Sequence, residues 1–135
     1  MNLAIPGDRL ENVLWRVRQG ILSGYEAKYV VLALGDGNED DSVIDRALGV
    51  SAVIDAVRAR QPKARIVLAS LGKGVCDENF DRVLKSFATG DPIIWVDANE
   101  RPFRTECFLE GYFMPREPAT RCPVLSPWWS RTFEK

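Results

Sequence analysis

Histidine is absent from all 135 residues. Imidazole is the side chain that titrates near neutral pH and the commonest metal ligand, so its absence excludes Ser-His-Asp and Cys-His catalysis within this chain. Cysteine is scarce. Cys76, Cys107 and Cys122 are odd in number and form no C-x-x-C pair, which points to reduced, idle thiols and away from a disulfide framework or a zinc site. Long apolar runs are missing: none approaches the roughly 20 residues of a membrane-spanning helix. The first nine residues also lack the basic flank and apolar centre of a secretory signal, so the expectation is a cytoplasmic protein. Excess charge of either sign is lacking as well. With 18 Lys and Arg against 19 Asp and Glu, and a net charge of −1, no overall field draws the chain to nucleic acid or to an anionic membrane.

What is present suits one domain over residues 1–135, since 46% apolar content at this length supports a core without staples. The run Leu3-Ala4-Ile5 reads as a short strand that stops at Pro6-Gly7. Asp8 then stands at a helix N-cap position, and Glu11 completes a capping-box pattern. Leu10, Val13, Leu14, Val17 and Ile21 follow at helical spacing, to a stop at Gly20 or Gly24. Residues 29–34 are continuously apolar, as in a strand covered on both faces of a parallel sheet. Residues 35–41 form a polar, acidic loop, and Ser42 caps a second helix with Val43, Ala47, Val50, Ile54 and Val57 on one stripe, ended at Gln61-Pro62. Residues 66–71 repeat the buried-strand pattern. Phe80, Val83, Leu84 and Phe87 mark a third helix closing near Gly90, and residues 93–96 form a fourth strand. The alternation predicts an α/β fold, a three-layer α/β/α doubly wound parallel sheet, over residues 1–100. Residues 101–135, rich in Pro and aromatics, are expected to be an irregular tail packed on the core or on a partner chain.

Ligands of such sheets bind at the carboxyl ends of the strands. Two loops there carry a signal. The stretch Asn2-Leu3-Ala4-Ile5-Pro6-Gly7-Asp8, with Val13-Leu14-Trp15-Arg16 and Gly20, resembles the second conserved block of the SGNH (GDSL-type) hydrolases, closest to the platelet-activating-factor acetylhydrolase catalytic subunits. Gly35-Asp36-Gly37-Asn38 falls where that family has G-T-N-N or G-x-N-D. The order continues through Ile54 to Pro62, Ala64 to Leu68 and Ile94 to Asp97. The resemblance implies a flavodoxin-like SGNH fold. It also implies that Gly7 matches an oxyanion-hole glycine, and that Gly37 stands in place of the oxyanion-donor asparagine, with Asn38 one residue away.

The departures from the family weigh as much. The serine block and its strand would precede Asn2, so the chain reads as truncated at the N-terminus. Cys107-Phe108-Leu109-Glu110 falls where the family has D-x-x-H. The expectation is therefore a non-catalytic SGNH-like protein that serves as a binding or assembly module. The alternative is an ester hydrolase that is truncated, or completed by another chain.

Gly7, Asp8, Asp36, Gly37 and Asn38 are the ligand-binding candidates for a small molecule at the strand ends. For Gly7-Asp8, a turn followed by an N-cap is the plain structural reading beside a remnant anion pocket. Asp36-Gly37-Asn38-Glu39-Asp40 has a D-x-N-x-D core but lacks the glycine and the final glutamate of a calcium loop, so neither a metal nor a cofactor is assigned. Acid-base work by Asp36, Asp40 or Asp97 would need two carboxylates facing one another. The lost strand would leave the strands at Leu3 and Tyr29 to pair directly, or to be bridged by Pro123-Val124-Leu125 or another subunit. An open edge favours a homo-oligomer, most simply a two-fold dimer.

Overall fold

A computed structural model describes residues 1–70 and 78–97. The three cysteines, the segment at 107–110 and the proline- and aromatic-rich stretch from residue 101, with its 123–125 segment, lie outside the described residues.

Three parallel strands, β1 (Tyr29–Leu32), β2 (Arg65–Ala69) and β3 (Ile93–Val96), form a sheet in the order β1-β2-β3. Val30 is registered with Ile66, and Leu68 with Trp95. The expectation of apolar runs buried on both faces is met at the centre: Ile66, Val67, Leu68 and Ala69 alternate between faces, yet all are buried. Helix α2 (Val43–Arg60) joins β1 to β2 and packs against both α1 (Leu10–Arg18) and α3 (Glu78–Phe87). Val50, Val53, Ile54 and Val57 of α2 meet Leu10 and Val17 of α1, Phe80 and Leu84 of α3, and Ile66 and Leu68 of β2 in one core. Burying a side chain such as Phe80 completely stabilises the fold by about 2–3 kcal/mol.

The segment Leu3-Ala4-Ile5 corrects the first expectation. It is not a strand, and the sheet has three strands instead of four among the described residues. The anticipated direct pairing with β1 is not made, because β1 pairs only with β2 among the described residues. The carbonyl of Leu3 instead accepts from Arg16 Nη1 at 2.9 Å. Pro6-Gly7 turns the chain: the Asp8 N–H donates to the Ile5 carbonyl at 3.2 Å, and Gly7 has φ 74°, the pattern of Pro followed by Gly in a type II turn.

The helix ends follow local chemistry more closely, with one exception. Helix α1 stops in a Schellman motif, where Ile21 N–H donates to the Arg16 carbonyl and Gly20 N–H to that of Val17. Ser42 caps α2 as expected, its hydroxyl accepting from Asp45 N–H at 3.1 Å. Gln61 ends α2, and its buried carboxamide donates to the carbonyls of Leu22 (2.6 Å) and Tyr25 (2.9 Å) while accepting from Ala27 N–H. One side chain thereby satisfies three backbone groups of the α1–β1 connection. The exception is the start of α1, where the expected capping box is not formed. Arg9 is the N-cap residue and offers no side-chain cap.

Candidate functional site at the strand ends

The acidic loop after β1 is a 3-10 turn over Asp36–Asn38, laid against the turn that opens α1. Gly37 makes the approach possible: a Cβ there would fall 2.6 Å from the Asp8 carbonyl oxygen, closer than side-chain atoms tolerate, and 3.1 Å from that of Gly7, a tight contact. Only hydrogen fits between the two backbones.

Asn38 joins them. Its side chain is 2% exposed, and its Oδ1 accepts from the Leu10 N–H at 2.8 Å. This amide is one of the orphan donors at the start of α1, so the cap comes from 28 residues away instead of from Asp8. The Asn38 Nδ2 donates to Asp41 Oδ2 at 2.5 Å and to Glu11 Oε2 at 3.3 Å. Arg9 completes the ring of contacts, donating to Asp41 Oδ2 at 2.8 Å and to the Gly37 carbonyl at 3.2 Å, with Glu11 Oε1 3.5 Å away. Donation from Asn38 is the leading cause that holds the Asp41 carboxyl below its ordinary range, with Arg9 adding to it. For Glu11 the larger contribution is its own backbone N–H, and Asn38 comes next. Asp41 and Glu11 in turn keep Arg9 firmly protonated. Asp8 points elsewhere and forms a half-buried ion pair with Arg16.

Four of the five candidate positions, Gly7, Asp8, Gly37 and Asn38, therefore meet at one junction. Asp36 begins the 3-10 turn beside them, with its side chain half-buried. Both hydrogens of the Asn38 amide are directed at carboxylates, so an incoming oxyanion would have to displace Glu11 or Asp41 to receive one. At the neighbouring strand ends, Ser70, fully buried, donates from its hydroxyl to Asp97 Oδ1 at 3.2 Å. A carboxylate alone is too weak a base to ionise a serine hydroxyl at neutral pH, and no imidazole stands between them.

Sequence reading placed Glu11 in a local capping box with Asp8, and it missed Arg9, Asp41 and Arg16 as partners in this junction, and Ser70 beside it. Periodicity assigns polar residues to the solvent side of an element, and nothing in the spacing of these residues sets them apart from ordinary surface positions. The only local signal for Ser70 is a hydroxyl placed directly after a buried strand.

The polar cluster lies at the carboxyl end of β1, the end at which open parallel α/β sheets bind their ligands. No protein-family profile matches the chain. Over 71 residues it is 32% identical to platelet-activating factor acetylhydrolase IB subunit alpha2 of Homo sapiens and 35% identical to subunit alpha1 of Bos taurus. It is 41% identical to the IB subunit beta homolog of Drosophila melanogaster over the same length. Each match covers 53% of this chain and 31–32% of the relative. The chain is distantly homologous to these SGNH-type subunits, and its match spans about a third of their length.

Proposed function

We propose that this chain is a non-catalytic SGNH-hydrolase-like protein, built on the doubly wound three-layer plan of that family, that works in the cytoplasm as a binding or assembly module. Its ligand region is the junction of Gly7, Asp8, Asp36, Gly37 and Asn38 at the carboxyl end of β1. The observation that carries this reading is the lack of any histidine in the 135 residues. Removing a triad's serine or histidine costs about 10⁶ in turnover, and the roughly 10³ to 10⁴ over water that survives comes from binding and the oxyanion hole. That residual is itself reduced where the Asn38 amide is already engaged by two carboxylates. The relatives are named as subunits, which supports assembly into a complex, most simply a two-fold homodimer.

The short span of the match favours one second reading, an SGNH ester hydrolase completed by further residues or by another chain. Hydrolysis of p-nitrophenyl acetate by the purified chain, with fluorophosphonate labelling read by mass spectrometry, separates the two. The module reading expects no saturable turnover and no labelled residue. Turnover with one defined acylated position overturns it.

A further inference from the structure

Arg46 lies in the buried stripe of α2, among Val50, Val53, Ile54 and Val57, and is 4% exposed. Its guanidinium carbon sits 3.9 Å from the centroid of the Phe80 ring. One nitrogen, Nη2, donates to the Gly35 carbonyl at 3.2 Å. The Nε is enclosed and has no hydrogen-bond partner among the described residues. Among those residues no carboxylate pairs with the guanidinium either: the ion pairs found there are made by Arg9, Arg16, Lys63 and Arg65. Asp41, which feels the Arg46 charge through space, is hydrogen-bonded to Arg9 and Asn38.

Among the described residues the buried cation meets a ring face, one carbonyl and a distant carboxylate, which compensate it only in part, and an apolar side chain would complete the stripe at no such cost. The position is informative too. Gly35 directly precedes the turn at the carboxyl end of β1, the end at which parallel sheets receive ligands.

We propose that Arg46 is the charged centre of an oxyanion site beneath the Gly35–Asn38 turn, taking the carboxylate or phosphate group of a small ligand. The proposal rests on the binding-module reading and gives that module a ligand class. The planar fork of a guanidinium matches two oxygens of one such group, and the Nε, which has no partner among the described residues, supplies a donor. Because Arg46 is enclosed, an anion reaches it only by displacing the turn at residues 36–38 and the contacts Asn38 makes there, so binding registers at the turn as well as at the arginine.

The test is a ¹H–¹⁵N NMR titration of the whole chain with inorganic phosphate and, separately, acetate, at ionic strength held constant with sodium chloride. Saturable shifts of the Arg46 Nε–H and of the Gly35 to Asn38 amides are expected, with affinity at least tenfold weaker in Arg46→Met. Arg46→Lys, which keeps the charge without the fork, should fall between them. Phosphate alone saturating identifies a phosphoryl ligand, and both saturating identifies a general carboxylate or phosphate site. Shifts that rise linearly with either anion, or that are equal in Arg46→Met, overturn the proposal. If Arg46→Met does not fold, the wild-type Nε–H decides alone, because an unsaturable response there is a refutation. Ester turnover would sink the non-catalytic reading and leave this titration untouched, whereas absent anion binding would sink this site and leave that reading standing.

Discussion

Replacing Asn38 tests the junction most directly. In Asn38→Ala the Leu10 N–H, buried behind a residue that is itself 2% exposed, loses its acceptor. A buried backbone donor left without a partner costs about 1–3 kcal/mol. The space vacated by the carboxamide adds to this, for a total of about 2–4 kcal/mol. That is a large share of the roughly 5–15 kcal/mol typical of a domain, and corresponds to about 10 °C in Tm. Urea unfolding followed by circular dichroism should show the midpoint falling with an unchanged m value. Asn38→Asp supplies the contrasting case, since it keeps an acceptor for Leu10 but sets a third carboxylate against those of Asp41 and Glu11.

The signs with pH then differ. In the wild type, Asp41 and Glu11 have lowered folded-state pKa values, so their contribution is full above the ordinary carboxylate pKa of about 4 and fades as pH falls through the depressed values. The carboxyl introduced by Asn38→Asp is crowded by like charges and has a raised pKa, so its penalty is greatest at neutral pH and lessens on acidification. The gap between Asn38→Asp and wild type should therefore narrow from about pH 7 to about pH 4. An Asn38→Ala protein within about 0.5 kcal/mol of wild type, the range of ordinary surface changes, would refute the distant cap.

Two further outcomes follow from the same geometry. Gly37→Ala places a Cβ 2.6 Å from the Asp8 carbonyl oxygen and must part the two backbones, costing about 1–3 kcal/mol and speeding hydrogen exchange at the Leu10 amide; unchanged exchange would show that the loops do not touch. Gln61→Leu orphans the Leu22 and Tyr25 carbonyls and the Ala27 N–H and should cost about 2–4 kcal/mol in thermal melts, while a loss below about 0.5 kcal/mol would mean that water replaces the carboxamide.

Much of the element order could be read from sequence because its causes are local. A continuous apolar run suffices for β2, a Ser42 hydroxyl for the start of α2, a glycine for the end of α1, and the spacing of Phe80 and Leu84 for the buried side of α3. Leu3-Ala4-Ile5 has the composition of a strand and still forms none, because a strand also needs a neighbour's backbone, which no local pattern supplies. The cap of α1 shows the same limit. Asp8 and Glu11 had the right types and spacing, but Asn38 reached the Leu10 amide and left Asp8 to Arg16.

By itself the sequence determined the chemistry this polypeptide lacks, above all an imidazole, and most of its helices and strands, since composition and periodicity require no knowledge of distant residues. Only the tertiary structure decided which polar groups meet. It set Asn38 between Leu10, Glu11 and Asp41, and it buried Arg46 against Phe80 in a stripe that periodicity assigns to apolar residues. The reason is physical: hydrogen bonds and charge pairs act over a few ångströms, and folding alone brings residues 28 positions apart within that reach.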